Sequence, residues 1–88
     1  MDMESVLKDL VDAWKLANDM DNAMRDHGFD NNPYFMIGGG IADAIYKLLC
    51  EHTDTFEKSV TYWALYSGYM ERDERVRLLL DAYKKTHP

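Results

Sequence analysis

Three observations predict an all-α fold for this chain. Apolar residues return every three or four positions along most of its length. No stretch keeps the period-two alternation of a half-buried strand, and residues suited to helix ends separate the periodic segments. Together they place helices at about 3–27, 33–52 (or 41–52), 55–67 and 71–85, packed as one compact four-helix domain over residues 1–88. With 88 residues, 47% of them hydrophobic, the chain can build one core and not two.

The first helix carries an apolar stripe of Met3, Val6, Leu7, Leu10, Ala13, Trp14, Ala17, Met20 and Met24, and Gly28 follows it as a left-handed cap. Asp12, Asp19 and Asp26 lie opposite the stripe, seven residues apart. Asp21 breaks the pattern by projecting into the stripe beside Trp14, Ala17 and Met24. An unpaired carboxylate there is costly, so the helix end is expected to be exposed, bent, or neutralised by Arg25 four residues on.

The second helix admits two starts. One follows Gly38-Gly39-Gly40. The other is at Pro33 with Asn32 as N-cap, since proline suits the first helical position. The longer helix is preferred because Tyr34, Ile37, Gly38, Ile41, Ala44, Ile45, Leu48 and His52 then form one uninterrupted face. Its three glycines cost roughly 2–3 kcal/mol of propensity relative to alanine, a cost acceptable if Gly38 lets another helix pack very close.

Asp54 is expected to cap the third helix, with Glu57 at capping-box spacing. This helix is apolar on two sides. Phe56, Val60, Trp63 and Ala64 share one face, and Tyr62, Leu65, Tyr66 and Tyr69 share another. A surface helix needs only one apolar stripe, so the second face either packs inside the domain or meets a partner. Tyr62, Leu65, Tyr66, Tyr69 and the adjacent Met70 are therefore the candidate partner surface. The fourth helix buries Val76, Leu79, Leu80 and Tyr83, with acids in its first turn and Lys84 and Lys85 in its last, as the helix dipole favours.

Composition narrows the function. No apolar run reaches the roughly 18 residues needed to cross a bilayer. The acidic, amphipathic N-terminus does not read as a targeting peptide, and a single cysteine, Cys50, forms no internal disulfide. A cytoplasmic location is expected. The net charge is −6, with eight acids and three bases in residues 1–32, which argues against direct nucleic-acid binding. In the last helix Arg72, Arg75 and Arg77 alternate with acids and read as a solvated face.

Other motifs are weak. The glycine run lacks the lysine, hydroxyl residue and preceding strand of a phosphate loop. The bend DHGFDNNP lacks the ligand register of a calcium loop, and Cys50, His52, His27 and His87 do not converge at zinc-ligand spacing. No cofactor, metal or catalytic set is expected. The leading expectation is a small non-enzymatic protein that acts by binding another protein and by self-association, with a homodimer as the expected form. One alternative is an acidic inhibitor or nucleic-acid mimic that shows Asp9, Asp12, Asp19 and Asp26 to a basic partner. Another is a ligand-binding bundle with a pocket lined by Trp14, Met24, Tyr34, Trp63, Tyr66 and Asp21.

Overall fold

The computed structural model describes the backbone of residues 2–49 and 55–86, and the side chains of these except at 55–59 and 86. It contains four helices: α1 (Met3–Asp26), α2 (Pro33–Leu49), α3 (Thr55–Tyr66) and α4 (Arg72–Thr86). The expected all-α architecture is therefore the observed one. Of the two starts for α2, the longer is correct. The expected continuation of α2 to residue 52, the Asp54 cap, Cys50, His52 and His87 lie outside the described residues.

Local chemistry accounts for the helix ends. Asp2 opens α1, accepting the Glu4 N–H at 3.2 Å and the Ser5 hydroxyl at 2.8 Å. The Ser5 bond is the main reason the Asp2 carboxyl lies below its ordinary value. At the other end, Gly28 adopts φ +90°. The Gly28 N–H donates to the Arg25 carbonyl and the Phe29 N–H to the Met24 carbonyl, each at 2.9 Å. These two bonds form a Schellman cap, whose left-handed residue favours glycine.

Helices α1 and α2 pack along each other, α4 lies against the other side of α1, and α3 packs on α2 and α4. The α2–α4 diagonal closes the core, whereas α1 and α3 barely touch. The core joins Leu7, Val11 and Trp14 of α1 to Ile45 and Leu49 of α2, Leu65 of α3, and Val76 and Leu79 of α4. Because α1 has 24 residues and α3 only 12, the C-terminal half of α1 outruns the bundle with α2 beside it. The molecule measures 45 × 25 × 23 Å.

Each helix is rotated somewhat from its expected face. In α1 the buried line is Leu7, Val11, Trp14, Ala17 and Asp21, while the expected core residues Ala13 and Met20 are exposed. In α2 it is Gly38, Ala42, Ile45 and Leu49, leaving Ile37 and Ala44 outside. In α3 the buried residues are Thr61, Ala64 and Leu65, and Trp63 is 60% exposed rather than core. In α4 Ala82 is buried, Leu80 and Tyr83 are half-buried, and Arg75 is only 6% exposed instead of solvated. Two charged side chains, Asp21 and Arg75, thus take places that a hydrophobic pattern assigns to carbon.

Gly38 does face Ala17: a Cβ built at Gly38 lies 3.7 Å from the Ala17 Cβ, an ordinary contact, so the approach is close but leaves room for a methyl group. At Gly39 and Gly40 an added Cβ meets nothing within 4 Å. Alanine at the two kinds of glycine should therefore act with opposite sign. Gly28→Ala should destabilise the fold and Gly40→Ala stabilise it, each by about 1 kcal/mol. Thermal unfolding should register each change as about 4–8 °C for a domain of this size. Equal shifts of one sign would refute this account.

Candidate functional site

The α1–α2 turn is built around one amide. Asn32 caps α2, its Oδ1 accepting the N–H groups of Tyr34 at 3.0 Å and Phe35 at 3.2 Å. Its Nδ2 donates to the Phe29 carbonyl at 2.9 Å and to Asp21 Oδ1 at 2.7 Å. Arg25 Nε donates to both Asp21 oxygens, at 3.0 and 3.1 Å. Asp21 is therefore paired with Arg25, as one of the expected resolutions had it, and is also tied to the next helix. That second bond explains how a residue 8% exposed keeps a charge so near the core. Arg25 is steadied in turn by the Phe35 ring, whose centroid lies 5.2 Å from its guanidinium carbon.

The second nucleus is Trp14, buried where three helices meet. Tyr66 of α3 meets the indole edge-on, with centroids 5.1 Å apart and planes at 87°. Arg75 of α4 places its guanidinium carbon 5.1 Å from the indole centroid. Its Nη2 donates at 3.0 Å to the Ser67 carbonyl beyond the end of α3, which also accepts the Met70 N–H at 3.4 Å. Arg75 Nε is buried without a hydrogen-bond partner. Among the described residues no carboxylate pairs with Arg75; the indole face and the carbonyl hold it. The signal for this burial is in the spacing, because Arg75, Leu79 and Ala82 fall at i, i+4 and i+7.

Between these nuclei lies a cleft of about 430 Å³, open because α1 and α3 barely touch. Trp14, Asn18 and Asp21 form its α1 wall at i, i+4 and i+7, and Tyr62 and Tyr66 its α3 wall. Tyr34, Phe35 and Met36 contribute from α2, where Gly38 and Gly39 leave bare backbone. The tyrosine rings stand 5.9 Å apart at 39°. Of the pocket residues expected from sequence, Trp14, Tyr34, Tyr66 and Asp21 meet here. Met24 and Trp63 do not.

The expected partner surface divides. Tyr62 and Tyr66 are exposed at the cleft, and Tyr69 is 91% exposed on the turn before α4. Leu65 and Met70 are buried within the chain, so neither is available to a partner: α3 turns Leu65 inward with Ala64, and the backbone reverses at Ser67–Met70. A second apolar feature was not foreseen. On the outer side of the α1–α2 pair, Ala13, Leu16, Ala17 and Met20 face Tyr34, Ile37 and Ile41 across a groove of about 430 Å³. Leu16 on its edge is 67% exposed. The clue was the count of apolar residues around α2, too many for one buried stripe.

Among the described residues, no three acids, histidines or cysteines converge as metal ligands. No described helix is long and apolar enough to cross a membrane. Of the acids that would form an inhibitory face, Asp12 pairs with Arg72 at 3.3 Å and Asp19 with Lys15 at 2.6 Å. No family model matches this chain, no curated protein matches it, and no solved structure does.

One substitution tests the Asn32 amide that holds Asp21. Asn32→Asp keeps an equally good N-cap but removes the donor to both Asp21 and the Phe29 carbonyl and sets two carboxylates together. Urea unfolding at neutral pH should show a loss of about 2–3 kcal/mol. A change of only a few tenths would mean the amide contributes nothing to joining the helices.

Proposed function

We propose that this chain is a small non-enzymatic helical module that acts through protein–protein contact and self-associates through the outer face of the α1–α2 pair. The observation that carries the proposal is the groove between Leu16, Met20, Ile37 and Ile41, whose lining among the described residues is entirely uncharged. A chain of net charge −6 repels a copy of itself wherever acids meet. This face spares two copies that repulsion, and the nearby acids Asp12 and Asp19 are already paired with bases of their own chain.

A second copy is the occupant that suits this geometry. A two-fold axis brings the same patch to itself, so Leu16 and Ile37 of each copy enter the groove of the other. The result is a four-helix layer made of two α1–α2 pairs. Each leucine-sized side chain buried this way contributes about 1.5–3 kcal/mol. Several per copy are needed to offset the entropy of association, on the order of 4–15 kcal/mol. The exposed tyrosines lie on a different side and stay available in such a dimer.

Light scattering across a concentration series tests this directly. The chain should show twice its monomer mass, and Leu16→Glu, at an exposed position, should return it to monomer without loss of helicity. Tyr66→Ala should leave the dimer in place. A monomer at the highest concentration reached, or a dimer indifferent to Leu16→Glu, would sink the proposal.

A further inference from the structure

We propose that the cleft between α1, α2 and α3 is a binding site for a flat, uncharged nitrogen heterocycle of nucleobase size, presented as a free nucleoside. The self-association face lies on the other side of the α1–α2 pair, with Tyr34 the one residue that lines both.

Shape and rigidity come first. A volume of about 430 Å³ lies within the usual range for small-molecule pockets, about 300–1,000 Å³. Its aromatic walls are held before any ligand arrives. Trp14 and Tyr66 are locked perpendicular, and Phe35 is fixed beneath Arg25. Trp14 is only 2% exposed beneath Tyr66 and Arg75. A planar guest therefore stacks on the exposed rings of Phe35, Tyr62 and Tyr66, each of which already has a packing partner, and this keeps the entropic cost of binding low.

Polar groups then narrow the chemistry. Asn18 lines the cleft one turn after Trp14, half-buried, and its side-chain amide makes no hydrogen bond to the described residues. An amide offers one donor and one acceptor side by side, the complement of a heterocycle edge with an adjacent acceptor and donor. Asp21 adds no net charge, because Arg25 neutralises it. A cationic guest finds no unpaired carboxylate, and a polyanion meets a chain of charge −6. A neutral ring suits both conditions.

Gly39 lines the cleft as bare backbone. Nothing lies within 4 Å of a Cβ built there, as at Gly40 outside the cleft, so a side chain at position 39 has room and would occupy the cleft.

The test uses Trp63→Phe, which replaces an exposed indole outside the cleft and leaves Trp14 as the only tryptophan reporter. Titration with adenosine, guanosine, cytidine and uridine should give a saturable change in Trp14 emission for at least one. Adding Asn18→Leu should weaken the best of the four by about tenfold or more. Gly39→Met, which fills the cleft with a better helix former, should abolish the response while far-ultraviolet circular dichroism stays helical. No saturable response to any of the four would overturn the proposal, as would a response that Gly39→Met leaves intact. An eight-residue oligoadenylate is the parallel arm: a response to it without one to the nucleosides would overturn the free-nucleoside assignment in favour of single-stranded RNA.

Discussion

The structure depends on one indole. Trp14 is the place where α1, α3 and α4 are held to one another, because among the described residues the α1 and α3 backbones hardly approach each other. Tyr66 meets its ring edge-on and Arg75 lies over it, so both C-terminal helices are registered on a side chain from the first. Arg75 extends the constraint by reaching past the indole to the carbonyl of Ser67. The turn between α3 and α4 is thereby fixed from inside the core. A buried guanidinium without a carboxylate is ordinarily unfavourable; the π face and the carbonyl are what it receives in exchange for water.

The cleft and the outer groove are two results of unequal helix lengths. Helix α1 has 24 residues, and the helix diagonally across from it has 12. The excess length of α1 is accompanied only by the first half of α2, so that pair shows apolar side chains on both sides. Its tip holds together without a third helix because Asp21, Arg25 and Asn32 tie the two helices by charge-assisted hydrogen bonds. The polar network substitutes there for the hydrophobic partner that the rest of the bundle has.

Much of the fold was legible in the sequence, and the reason is that helix ends are local. Asn32-Pro33, Gly28 and the acids opening α4 act within a turn of themselves, and the start of α2, the end of α1 and the start of α4 each fell within a residue of the expected place. The rotation of each helix was not legible. It is set by tertiary partners, and in α2 apolar residues surround the axis, so no single stripe is marked. Asp21 and Arg75 show the limit most clearly: a binary pattern assigns charge to solvent, whereas Asp21 is buried with Arg25 of its own helix and Asn32 of the next turn, and Arg75 with the Trp14 ring and the Ser67 carbonyl. The cleft was half legible, since Trp14, Tyr34, Tyr66 and Asp21 follow from helical spacing. Trp63 was misplaced because the face shared with Val60 and Ala64 is not the face α3 buries.

The short reach of the Asp21–Asn32 bond bears on how the chain acquires its shape. It links residues only eleven apart, and local contacts of that kind form early because little loop entropy opposes them. Helices α1 and α2 can therefore pair while the rest of the chain is still unstructured. The Trp14 contacts with Tyr66 and Arg75 close far longer loops and follow later. A nascent chain halted after α2 would hold the outer groove in nearly final form while its indole still faced water. The outer groove is thus ready before the cleft exists, so under the proposed self-association a copy could be met before folding has ended.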